Sequence, residues 1–441
     1  MENPFLTIKL SLIFSFSFLL ISSLSFGQAT PLTYDDFKSG VATNNYSLKI
    51  SEVNRSIAQA DLTQSNAVFL PNISLSYTGI TTTNPLMAFG AKLNQEILTQ
   101  NDFTPSLLNN PSRIDDFTAK INIQQPLINI DGIYKRKAAK ATVQSYKLQA
   151  TRTKEQLELQ VFKTYMQLQL AYKATEVLEK SLEAATENTQ LTINSFEQGL
   201  LQKSDVLAVK VRLTEVQNSL QVAQSNIQNS SDVISLLMGK ETNVIYLPKH
   251  KLSAVNPPSL QGKSLKENRS DLAALKKNTE AYLNNYKAQK TGYLPRLNAF
   301  GSYEIHDGDF TGTTARGYLV GAQLSWTIFN GNKRLGKIQK SKALLDKSIL
   351  DYNYYKAQSY MAFQQSLRNL KNSKLQLQLS KLAMEQSKEV LRIRLNRYKQ
   401  GLEKTSDLLF SETQYSQKQL EYYRAIFNYN YSQATLKFLS K

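Results

Sequence analysis

The 441-residue chain contains no cysteine, only two histidines and a single tryptophan. Without cysteine there is no disulfide framework, no thiolate metal site and no lipid-bearing N-terminal cysteine. His250 and His306 are a poor basis for metal binding, and both read as surface residues. No Gly-rich phosphate loop, nucleophile elbow or metal motif occurs, so catalysis, metals and cofactors are not expected. Long apolar runs are missing too, apart from Leu10–Phe26, which is broken only by serines and follows Lys9. Its basic start, short apolar core and small-residue end at Ser25-Phe26-Gly27 predict a secretory signal peptide over 1–27, cut near Gln28. No later stretch approaches the length of a membrane helix. Further membrane insertion would therefore have to use strands.

Acidic residues are scarce relative to basic ones, and the formal net charge is +18. The lysines are spread along helical patterns and form no single stripe. That distribution fits a solvated helix surface and not a nucleic-acid-binding face.

What the chain does have is an internal repeat, with matching elements about 200 residues apart. Phe196-Glu-Gln-Gly199-Leu200, followed by Ser204-Asp205, matches Tyr398-Lys-Gln-Gly401-Leu402, followed by Ser406-Asp407. Leu70-Pro71 matches Leu294-Pro295, and Gln125–Asn129 matches Trp326–Asn330. The division predicted is a first repeat over 28–242, a connector over 243–263 carrying Pro248, Pro257 and Pro258, and a second repeat over 264–441. The first repeat has the longer loop between its strands.

Each repeat reads helix, strand, strand, helix, helix. Thr33 and Asp36 form a variant capping box, with Leu32 and Phe37 as its hydrophobic staple. Ile50, Val53, Ile57 and Ala60 then recur at helical spacing in a helix expected from Asp35 to about Val68. Four segments alternate apolar with polar residues: Ile73/Leu75/Tyr77, Ala119/Ile121/Ile123, Leu297 to Ile305, and Tyr318 to Trp326. No other strands are convincing. Proline-free helical patterns follow, from about Tyr134 to Glu197 and from Lys333 to Gln400. Val161, Tyr165, Leu168 and Tyr172 keep the four-three spacing of helices packed side by side. Glycines 199 and 401 supply the freedom for a helix end, Ser204 and Ser406 read as N-caps, and Asp205 and Asp407 suit the first turn.

Four strands are too few to close a membrane barrel, and an open edge in lipid is costly. The expected fold class is therefore mainly α with a small transmembrane β part. Three copies would close a 12-stranded β-barrel and gather their helices into a long α-helical periplasmic tunnel. The whole mature chain resembles the TolC-like outer-membrane efflux family, through Leu70-Pro71, Asp271-Leu272 with Leu294-Pro295, Trp326–Gly331 and the two Gly-Leu…Ser-Asp turns. The resemblance implies an outer-membrane channel that extends into the periplasm and exports small molecules. Its implied partners are a periplasmic adaptor, an inner-membrane transporter of the RND or ABC type, and outer-membrane lipid, with no nucleic acid. It places the two turns at the periplasmic tip, with Asp407, Asp205 and Tyr398 at the entrance. Gly199, Leu200, Ser204, Gly401, Leu402 and Ser406 are then the adaptor-contact turns. Well-known relatives carry an arginine at the position of Glu403, and some carry an acidic residue at that of Phe410. The closing bonds of the entrance therefore do not transfer, with Lys404 as a substitute partner and Phe410 as packing. Trp326 suits either an interfacial anchor or packing against the long helices. Alternatives on the same residues are type I protein secretion through the same scaffold, an adaptor-like coiled-coil protein and a basic soluble coiled coil. An adaptor needs a Gly-rich β-domain beside one hairpin, whereas this chain has two hairpins and membrane-length strands. The soluble coiled coil conflicts with the signal peptide and the tyrosine-rich strands.

Overall fold

Thr33 starts the first helix as the capping box requires, its Oγ1 accepting from the Asp36 amide at 3.0 Å. Leu32 and Phe37 are buried in one apolar cluster, which is the staple. The structure, a computed structural model, describes residues 29–255 and 264–441; the signal-peptide segment, Pro257 and Pro258 lie outside the described residues. The first repeat contains β1 (Thr30–Leu32), α1 (Tyr34–Asn44), α2 (Tyr46–Gln64), β2 (Asn72–Thr82), α3 (Pro85–Asn94), α4 (Pro105–Asn109), β3 (Ile114–Ile128), α5 (Ile130–Glu197) and α6 (Lys203–Leu237). After β4 (Tyr246–Pro248) come α7 (Ser270–Thr291), β5 (Arg296–Asp307), β6 (Ala315–Ser325), α8 (Lys333–Lys399) and α9 (Thr405–Ser440).

The single helix expected from Asp35 to about Val68 is broken at Asn45, whose backbone is extended. Its Oδ1 accepts from the Ser47 amide at 2.9 Å, and its Nδ2 donates to the Leu237 carbonyl at 2.9 Å. One asparagine thus ends α1, caps α2 and ties the junction to a helix far along the chain. Apolar spacing continues across such a break and does not reveal it. A 3-10 turn, Ser65–Val68, closes α2 before Pro71.

The four expected strands form one antiparallel sheet in the order β2-β3-β5-β6. The last ends at Ser325, one residue short of Trp326. The two further strands, β1 and β4, form a three-residue parallel ladder, Thr30↔Tyr246 to Leu32↔Pro248. A ladder that short shows no alternation, and a proline inside it argues against a strand, so the sequence does not announce it. The ladder anchors the described start of the connector. Further along, Asn430 and Gln433 of α9 hold Ser253 and Val255 by hydrogen bonds of 2.8 to 3.1 Å.

Two compact units emerge, and each repeat contributes to both. One comprises the described residues up to Ser51, those within Ala150–Arg269, and Ala357–Lys441; the other comprises Glu52–Gln149 and Ser270–Lys356. In the first, the expected seam is a core in which Val161, Tyr165 and Leu168 of α5 meet Ile227, Ile234 and Leu237 of α6. The second holds the sheet and a small alanine contact of Ala138 and Ala141 with Ala281. α5 has 68 residues and α8 has 67, each about 100 Å long at the helical rise. The buried positions of α8 are largely serines: Ser341 and Ser348, then Ser359, Ser366 and Ser373, spaced as heptads. Ser341, Ser348 and Ser373 donate back to carbonyls three residues earlier at 2.9 to 3.1 Å. A small side chain that satisfies its own hydroxyl lets neighbouring helices approach closely. Among the described residues no helix is long and apolar enough to cross a membrane.

Candidate functional site

Both predicted turns are built alike. Gly199 and Gly401 each have φ +74°, the left-handed conformation that favours glycine. The Gly199 and Leu200 amides donate to Phe196 and Ser195, and those of Gly401 and Leu402 to Tyr398 and Arg397, all at 2.9 Å. This is the double-bonded Schellman ending of a helix. Leu200 and Leu402 are left exposed. The restart differs from expectation. The N-caps are Gln202 and Lys404, so Ser204 and Ser406 lie one turn position inside their helices. Each aspartate sits at the third helical position. Asp205 uses it to accept from the Gln202 amide at 3.1 Å, completing a capping box whose glutamine disguises it in the sequence.

The second turn carries charges that the first does not. Arg397 Nε lies 2.9 Å from the Glu403 carboxylate, and Arg394 Nη1 lies 3.6 Å from Glu403 and 3.5 Å from Asp407. Arg394 also donates to the Asp407 carbonyl at 3.1 Å. Glu403 is thus paired by two arginines of the preceding helix, because the reversal at Gly401 turns the chain back over α8. Opposite charges bracketing a glycine turn were the available signal. Tyr398 is buried, its hydroxyl 2.9 Å from Thr192 Oγ1 on α5 and 3.4 Å from Thr405 Oγ1 on α9. Phe410, expected as packing, is 62% exposed in the single chain.

Above the turns a polar seam joins α5 to α9. Glu412, itself buried, accepts a hydrogen bond from Asn188, and Ser181 Oγ donates to Ser416 at 3.1 Å. Burial raises the Glu412 carboxyl to about 7, against the lowering effects of Arg212 and of the Asn188 bond.

The sheet supplies the other site. Directly paired residues share a face, so Leu75, Ile121, Tyr303 and Tyr318 lie together, as do Ile73, Ile123, Gly301 and Val320. That face is apolar and largely exposed, Leu75 at 74% and Val320 at 75%. The opposite face carries Ser76, Lys120 and Glu304 in one row, the last two 2.5 Å apart. His306, expected at the surface, is buried on this polar face, its Nδ1 3.2 Å from Asp116 and 3.0 Å from Thr118. Cross-strand partners enclose it, and their proximity is set by register. His250 is exposed as expected. At one end of the apolar face Tyr77, Phe117 and Phe310 meet with ring centroids 5.4 to 6.4 Å apart. At the other end Trp326 is exposed, with its indole N–H on the Tyr293 carbonyl at 2.9 Å. Aromatics flanking an apolar band are the anchors of a membrane strand.

A repeated helical chain whose short strands carry a lipid-type face defines a channel subunit. The chain matches the family model described as outer membrane efflux protein over residues 39–240 and 262–440, and it belongs to that family. It is an outer-membrane channel for efflux that reaches into the periplasm. A membrane protein from Pseudomonas aeruginosa has a similar structure (TM-score 0.80, 14% identity, covering 92% of this chain and 93% of that one). The outer membrane protein VceC from Vibrio cholerae is similar at TM-score 0.76 and 15% identity, over 92% and 96% of the two chains. The Campylobacter jejuni CmeC outer membrane channel reaches TM-score 0.76 and 16% identity, over 95% and 90%. At these identities the likeness is one of fold. No curated protein matches the chain.

Proposed function

We propose that three copies of this chain form one channel. Their sheets close a twelve-stranded barrel and their helices line a tunnel, through which small molecules leave an inner-membrane transporter of the RND or ABC type by way of a periplasmic adaptor. The observation that carries this reading is the sheet. β2 and β6 are each paired on one side only, while the face between them is apolar and uncovered. In lipid such edges need partners, and the matching edges of further copies supply them. Tyr46, Ile50, Val53 and Ile57 of α2 support the same assembly, as an apolar stripe at helical spacing that the single chain leaves exposed. On this reading the two turns form the periplasmic tip. Asp407 and Asp205 line the entrance, Tyr398 braces it, and Gly199, Leu200, Ser204, Gly401, Leu402 and Ser406 meet the adaptor.

Fractionation followed by electrophoresis without heating tests the proposal. An outer-membrane pool that resists high salt and migrates as a trimer is expected. Deleting the gene should raise sensitivity to toxic small molecules. A monomer, or full release by salt, would overturn the reading.

A further inference from the structure

The connection between β2 and β3 is a folded segment with no counterpart between β5 and β6. Asn84 caps α3 by accepting from the Met87 amide at 3.2 Å, and Pro85 opens the helix. Thr99 and Asp102 form a second capping box, and Lys92 lies 2.6 Å from the Asp102 carboxylate. The rings of Phe89 and Phe103 meet edge to face at 5.6 Å. These bonds give residues 83–113 a definite shape.

Strand register decides on which face of the sheet this segment lies. Ile114 shares its face with Asp116, Thr118 and Lys120, because side chains alternate along a strand. Ile114 is buried in one cluster with Ala88 and Ala91 of α3. Gln95, just beyond α3, donates to Asp116 Oδ1 at 3.0 Å and to the Asp115 carbonyl at 2.8 Å. Helix α3 therefore covers the loop end of the polar face, while the aromatic cluster of Tyr77, Phe117 and Phe310 occupies the apolar face at that end. Small and polar residues anchor the helix. Its large apolar ones, Leu86, Met87 and Leu93, stay exposed, Leu86 at 82%.

We propose that residues 83–113 form a flap on the lumen side of the barrel that narrows its outer mouth and lines it with apolar side chains. The inference rests on the trimeric-channel reading above. The polar face of a membrane barrel borders water, so an element folded onto that face occupies the passage. Each chain carries one flap, and the apolar sides of the three face one another across the exit. A narrow apolar rim wets poorly, so it hinders ions more than solutes with apolar surface.

The absence of cysteine makes a single introduced thiol unique. Trimers of Leu86→Cys in a planar bilayer should lose most of their current when a charged thiol reagent is added on the outer side. Tyr318→Cys, on the apolar face, should keep its current, with labelling of both followed by mass. A chain in which residues 83–113 are replaced by the short 308–314 connection should conduct about twofold more or better. An unaltered current in labelled Leu86→Cys, or an unchanged conductance in the shortened chain, overturns the flap. Absence of any current from the unaltered protein sinks the channel reading itself, and the flap with it.

Discussion

Glu412 shows how one buried carboxyl gives a helix contact a pH dependence. Its ordinary value of 4.5 is raised to about 7 by burial, so the folded chain keeps a proton that the unfolded chain releases. The resulting stability is complete below about pH 4.5 and is lost as pH rises through 7, at most about 3 kcal/mol over that window. Trimers should therefore resist heat better at pH 5 than at pH 8, and Glu412→Gln should shrink that difference. An undiminished pH difference in the variant would assign it to other groups. Asp407 is held by Arg394 on one side and remains half-exposed on the other. If three copies bring this carboxylate to a narrow entrance, as proposed, the ring favours cations, because local charge in a constriction outweighs distant charge screened by salt. Asp407→Asn should lower cation preference in bilayer recordings and leave assembly intact. If Asp407 only assists the helix start, selectivity stays as it was and stability falls by less than about 1 kcal/mol.

Among the elements, the glycine-ended helix termini and the strand faces were legible, whereas the helix break at Asn45 and the caps at Gln202 and Lys404 were not. The alternation of Ile73, Leu75 and Tyr77 with serines and threonine gave the strand and its two faces at once, and its partner came from the register with β3. Asn45 stayed invisible because its partner is the Leu237 carbonyl, which no local pattern brings near. The capping box at Gln202 is local and was hidden for another reason: the serine two residues later is the better cap by propensity. The loop bearing α3 and α4 joins two membrane strands and is longer than its counterpart in the second repeat. An epitope inserted near Asn109, which is exposed, should be reached by antibody on intact cells. Labelling only after the outer membrane is broken would reverse the topology.

For the molecule as a whole, assembly is the question that the exposed apolar stripe of α2 poses. Val53 lies mid-stripe and is 58% exposed in one chain. If neighbouring copies cover it, Val53→Asp buries a charge without a partner, which is costly enough to prevent stable association. The variant should fold as a helical protein by circular dichroism yet migrate as a monomer. A trimer of ordinary heat stability would place the stripe elsewhere than at the contact.

The amino-acid sequence by itself determined the repeat, the strand faces, the long helices and the two glycine reversals. Each of these depends on periodicity or on a local conformational requirement, and both are written in neighbouring residues. The tertiary structure alone decided which groups meet: Arg394 and Arg397 with Glu403, Tyr398 with Thr192, Asp116 with His306, and Ala88 with Ile114. The arginines reach Glu403 across the Gly401 reversal, and the other meetings arise between segments distant in the chain, where register and helix packing set the distances. The buried serines of α8 have the same origin, since a heptad stripe of serines looks like surface until close helix packing shows its use.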